Sequence, residues 1–120
     1  MRHLLILALT LWIASAVAQA QSTSWTDYGV GGKRFELVSE TGLVVYYFRK
    51  SGSVTATIGQ KKGPVAGPIF YWRIDGERLL ISTHDGTIFS ELTLLTATPT
   101  EISAKSKSGE ILTFKVSESP

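Results

Sequence analysis

Ile69-Phe70-Tyr71-Trp72-Arg73-Ile74-Asp75-Gly76-Glu77-Arg78-Leu79-Leu80-Ile81-Ser82 reads as two strands joined by a tight Asp-Gly turn, the strongest short-range signal for a β-hairpin. The first arm alternates, with Phe70, Trp72 and Ile74 on one face and Tyr71, Arg73 and Asp75 on the other. Strand side chains repeat with a period of two, so one face suits burial and the other suits water. Two aromatic rings on one short face supply much of the apolar area that a small domain can bury. The hairpin sits in the middle of the chain that follows residue 20 and is expected at the centre of a sheet.

The same cadence continues on both sides. Thr41-Gly42, Ser51-Gly52, Asp75-Gly76, Asp85-Gly86 and Ser108-Gly109 look like turns, Pro99 marks a further break, and residues 61–68 form the one longer loop. Between these marks lie runs rich in β-branched and aromatic residues, at 35–40, 43–50, 54–60, 69–74, 78–83, 87–95, 101–106 and 110–116. Short links make each strand antiparallel to the one before it. Closing such a sheet removes both exposed edges. The expected fold is therefore all-β, an eight-stranded antiparallel up-and-down meander forming a small closed or nearly closed barrel. Two stretches fit less simply. Leu43-Val44-Val45-Tyr46-Tyr47-Phe48 is apolar on both faces, as in a strand covered on both sides. Ile88, Leu92 and Leu95 also share a helical face, although the density of threonine favours a strand, which either continues to Leu95 or ends near Leu92.

The chain begins with Arg2, an apolar run from Leu4 to Ile13 and the small-x-small site Ala18-Gln19-Ala20, which together read as a signal peptide over residues 1–20. The apolar run is shorter than the roughly 20 residues of a membrane span. Residues 21–32, rich in Ser, Thr and Gly, read as a flexible N-terminal arm, with the single barrel domain over 33–120. Trp25 and Tyr28 are unusual in such an arm and are expected either to pack across one end of the domain or to meet a partner.

The formal charge is +2, and +1 once Arg2 is removed with the signal, with the basic residues in separated pairs rather than a stripe. That argues against a nucleic-acid partner. The chain has no cysteine, which excludes disulfides, thiolate metal sites and thiol chemistry. His84 follows the signal segment as its one histidine, beside Asp85 in an expected turn, and no nucleophile motif accompanies it. Asp75, Glu77 and Asp85 fall near turns, where acids are usually solvated, and Gly29, Gly31 and Gly32 precede a strand rather than a helix. No catalytic, metal or cofactor site is expected.

What remains is binding. Phe70, Trp72, Phe89 and Phe114, with Leu112 and Val116, are candidates to line a barrel interior, with Arg73 or Tyr46 as a polar contact. The simpler reading, favoured over a cavity, makes the same rings the plain core of a small domain. A second candidate is an outward strip of Tyr47 (or Tyr46), Tyr71 and Arg73, residue types enriched at protein interfaces.

The run Phe70-Tyr71-Trp72-Arg73-Ile74-Asp75-Gly76-Glu77-Arg78-Leu79-Leu80-Ile81, followed by Ile102-Ser103-Ala104-Lys105 and Gly109-Glu110-Ile111-Leu112-Thr113-Phe114-Lys115, resembles the rhythm of bacterial lipocalin-like (calycin-type) domains. The resemblance covers residues 53–116. The G-x-W of lipocalins has no counterpart, since Trp25 follows Ser24 and stands well before the first expected strand. The resemblance implies an antiparallel barrel, small apolar ligands and no catalytic residues. Together these readings point to a protein exported to the bacterial periplasm or beyond, without a stable membrane anchor, monomeric or weakly dimeric. Its expected role is non-catalytic binding of a small apolar or amphiphilic ligand within the barrel. The alternative is a protein-interaction or inhibitor module working through the Tyr/Arg face or a loop.

Overall fold

The computed structural model describes residues 23–118; the expected signal peptide and cleavage site lie outside them. Among the described residues, nine strands form one sheet: β1 Lys33–Leu37, β2 Gly42–Phe48, β3 Ser53–Gln60, β4 Val65–Ala66, β5 Ile69–Asp75, β6 Arg78–Ser82, β7 Ile88–Ala97, β8 Glu101–Ser106 and β9 Ile111–Glu118. All pairings are antiparallel, and β1–β9 and β2–β3 close the sheet on itself. The architecture is an eight-stranded up-and-down barrel with one extra short strand.

That extra strand is the first part of β5. Gly59 pairs with Val65 and Ile58 with Ala66, while Thr55 pairs with Ile69 and Val54 with Phe70, all in one unbroken register along β3. Between them Ala56 N–H donates to the carbonyl of Pro68 at 3.0 Å. Pro68 has no N–H to return, so one rung of the ladder is missing and the strand divides in two. Residues 61–68, expected as a loop, are thus a tight turn followed by strand.

The central hairpin has the expected faces. Phe70 is buried and Trp72 and Ile74 are half-buried, whereas Tyr71, Arg73 and Asp75 are exposed. Asp75 pairs with Arg78, so Gly76 and Glu77 are the central turn residues. Gly76 has φ 62° and Glu77 does not have positive φ, the pattern of a type II′ turn.

β7 is a strand along its whole length, with two irregularities. The register with β6 shifts between Ile81 and Ser82, leaving Phe89 opposite no partner, and the register with β8 shifts between Leu94 and Thr96, at Leu95. Each bulge adds one residue to the alternation, and Ile88 and Leu95 are exposed where Leu92 is fully buried, so the three residues share no face.

The interior is filled by side chains. Phe35 stands 4.7 Å from Phe48 and 5.9 Å from Phe114, ring centre to ring centre, and Leu79, Ile81, Leu92 and Ile102 are fully buried around them. The small inward residues Ala56 and Ala104 are fully buried too, and Ala56 lies directly across from Tyr46. They make room for the aromatic rings rather than for a void.

One end of the barrel is plugged. Ser24 caps a single helical turn, α1 (Trp25–Tyr28), which ends at Gly29 with φ 77°. Trp25 and Val30 are each 1% exposed, and Trp25 stacks on Phe35 at 6.2 Å. The Tyr28 hydroxyl donates to Thr98 O at 2.7 Å, and Lys33 Nζ donates to Tyr28 O at 2.8 Å. Trp25 and Tyr28 thus pack across this end of the domain, one of the two placements expected for them.

Candidate functional site

In a meander the turns alternate between the two ends of the barrel. The turns at 49–52, 76–77 and 98–100 lie at the end closed by α1. Those at 38–41, 61–64, 83–87 and 107–110 lie at the other. The large hydrophobic side chains exposed among the described residues are Val38, Val65, Ile69, Tyr71, Ile88, Phe89, Leu95 and Ile111. Six of these eight gather at the open end. Each of its four turns carries one within or directly after it: Val38, Val65, Ile88 with Phe89, and Ile111. The turns of the plugged end carry none. Scattered apolar side chains on a surface are ordinary; their concentration at one end is what marks this mouth as a candidate site.

Phe89 has the most developed position in this rim. The β7 bulge frees it from the ladder, and its ring stacks on Phe70 at 4.4 Å with 21° between the planes. Phe70 is buried beneath it, while Phe89 remains 49% exposed. Partly buried Leu37, Val44, Ile58 and Leu112 pack against the same core. Beside this rim, Glu40, Thr41, Gln60, Lys61 and Lys62 line a cleft of about 290 Å³. The open end therefore offers an apolar rim with two lysines and one carboxylate next to it.

The four rings expected to line a pocket fall in three places. Phe70 and Phe89 come together at the mouth. Phe114 lies in the sealed core against Phe35 and Tyr46. Trp72 lies toward the plugged end, edge-on to Phe48 at 6.0 Å, its Nε1 donating to Arg49 O at 2.7 Å. Tyr46 points inward, and burial pushes its phenol up to about 12. Arg73 points outward and is exposed.

The outward strip is divided as well. Tyr47 is half-buried and accepts a hydrogen bond from Arg34 Nε at 3.0 Å, with the guanidinium 5.6 Å from its ring centre. Arg34 in turn bonds Glu36 at 2.9 Å, which raises its already high pKa. Tyr71 and Arg73 are exposed on β5, with Ile69 two residues away on the same face. Tyr71 and Ile69 are the available part of this strip.

His84 and Asp85 are exposed in the 83–87 turn. Asp85 accepts from the Thr83 hydroxyl and from Thr87 N–H, which lower its pKa and hold the turn. Asp75 lies 3.6 Å from Arg78. These carboxylates serve turns and a surface pair. Sequence reasoning identified Phe89 as a pocket residue but not Val38, Val65, Ile69, Ile88 and Ile111 as a rim. Their signal was an apolar residue beside each alternate turn.

Compared with protein-family models, curated proteins and solved structures, the chain has no match.

Proposed function

We propose that this chain is a non-catalytic binding protein that takes a small amphiphilic molecule at the open end of its barrel. The single observation that carries this reading is the apolar rim confined to that end, centred on the exposed Phe89 stacked over Phe70. A flat ring held on a buried ring is a preorganised surface for an acyl chain or an aromatic group. Lys61 and Lys62, in the adjoining cleft, suit an anionic head. Because the core is filled, the apolar group rests on the mouth instead of entering deeply.

The test is titration of the mature protein with N-phenylnaphthylamine, whose fluorescence rises in apolar surroundings. Phe89→Ala is expected to weaken its binding about tenfold, the loss of roughly 1.4 kcal/mol of contact. Equal binding by Phe89→Ala and the parent protein would sink the reading. Native mass spectrometry of exported material then identifies any natural cargo.

A second reading is a protein-interaction module, favoured by Tyr71 at 43% exposure and Ile69 at 64% on one outer face. Under it, Tyr71→Ala abolishes partner capture and leaves the titration unchanged.

A further inference from the structure

Closure removes most edges of this sheet, but not all. In an antiparallel strand, alternate residues direct both N–H and C=O to the same side. Pro68 O accepts from Ala56, and Trp72 N–H donates to Gly52 O at 2.9 Å. The even-numbered residues of the β4–β5 strand therefore face β3. The odd-numbered ones face β6, as Tyr71, Arg73 and Asp75 do in pairing with Ser82, Leu80 and Arg78. β6 ends at Ser82 and the chain turns away through 83–87. Val65, Gly67 and Ile69 continue the row with no backbone partner on that side among the described residues. Three residues thus present three N–H and three C=O groups in line. Val65 is 55% and Ile69 64% exposed, so the edge is open to solvent.

Exposed edges are usually blunted by proline or charge. Here Pro64 and Pro68 both occupy even positions, where the missing N–H would have faced β3. The outward donor row is intact. Lys61-Lys62 bounds it at one end and β6 at the other, so a partner strand of only about five residues fits.

We propose that residues 65–69 are a self-association site, where two copies of this chain pair antiparallel about a two-fold axis through Gly67. The segment Val65-Ala66-Gly67-Pro68-Ile69 is self-complementary in that register. Val65 meets Ile69 of the second copy, Gly67 meets Gly67, and all six free backbone groups on each copy find partners. The exposed side chains of Val65 and Ile69 become cross-strand neighbours, an apolar pair of the kind that stabilises sheets. Each copy's Lys61-Lys62 turn comes alongside the other's Asp85 turn, opposite in charge. A closed two-fold contact uses the same patch on both subunits and stops at the dimer.

The absence of cysteine makes a direct test available. A residue opposite itself in a hydrogen-bonded pair has its Cα about 5.5 Å from its copy, within the roughly 4.4–6.8 Å that a disulfide spans. At Gly67 an added Cβ meets only Ala56 O, at 3.7 Å, so Gly67→Cys fits the monomer. Under mild oxidation Gly67→Cys is expected to become a covalent dimer much faster than Arg73→Cys, on the same strand but outside the edge. In sedimentation, the parent protein is expected to show a concentration-dependent doubling of mass that Ile69→Lys abolishes with the circular dichroism spectrum unchanged. Cross-linking of the two cysteine variants at equal rates overturns the proposal, as does a dimer that persists in Ile69→Lys. So does a parent protein that stays monomeric at every concentration. Phe89→Ala leaves this edge intact, so the fate of this inference is separate from that of the ligand reading.

Discussion

The indole Nε1 of Trp25 donates to the carbonyl oxygen of Leu92 at 2.9 Å, across 67 residues of sequence. This bond ties the segment before the first strand to the wall of β7 and fixes which end of the barrel is closed. Trp25→Ala is expected to destabilise the fold by about 3–5 kcal/mol, the usual loss for a large buried ring. Trp25→Phe keeps most of the packing but leaves Leu92 O without its donor, at about 1–3 kcal/mol. Urea denaturation followed by circular dichroism measures both. A Trp25→Phe variant as stable as the parent protein would show that the hydrogen bond contributes nothing.

Tyr46 gives the barrel an alkaline limit. It lies 5.8 Å from Phe48 and 6.5 Å from Phe114, and burial raises its pKa from the ordinary 10.0 to about 12. The unfolded chain ionises first, so the contribution of this group is fully present below about 10 and is lost as pH rises through 12. The loss amounts to about 2–3 kcal/mol. Tyr46→Phe should flatten most of the decline in stability over that window. Tyr28 shifts in the same direction, by burial and by the nearby Glu118, and leaves a smaller slope. An unchanged alkaline profile in Tyr46→Phe would contradict this assignment.

Gly59 is where β4 can lie against β3 only without a side chain. A Cβ there would overlap Pro64 O and come within 2.8 Å of Val65 Cα, both backbone atoms, whereas at Gly63 it would meet only the Gln60 side chain. Gly59→Ala is therefore expected to cost about 1–3 kcal/mol by overpacking and to speed amide exchange at Gln60 and Ala56, whose N–H groups bond Pro64 and Pro68. Gly63→Ala should do neither. Matching exchange in the two variants would remove the argument.

Most of the fold was legible locally. Alternation such as Phe70, Trp72, Ile74 against Tyr71, Arg73, Asp75 assigns strand faces, and turn residues divide the chain at nearly the observed places, because both signals depend only on near neighbours. The 61–68 stretch misled for an equally physical reason: Gly63, Pro64, Gly67 and Pro68 resemble a loop in composition, yet both prolines occupy positions in one register with β3. Ring identity alone also grouped Phe70, Trp72, Phe89 and Phe114. Their strands place Phe114 in the core and Trp72 toward the plugged end, and the shifted register at Phe89 leaves that ring over Phe70 at the mouth.

By itself, the sequence determined an all-β chain of antiparallel strands without disulfides, since period-two patterning, turn chemistry and cysteine count are local or compositional properties. The tertiary structure alone decided that Trp25 plugs one end and that an apolar rim gathers at the other. It also left residues 65–69 with a free edge. Each of these depends on where strands distant in sequence begin and end beside one another, and barrel closure sets that geometry for all eight strands together.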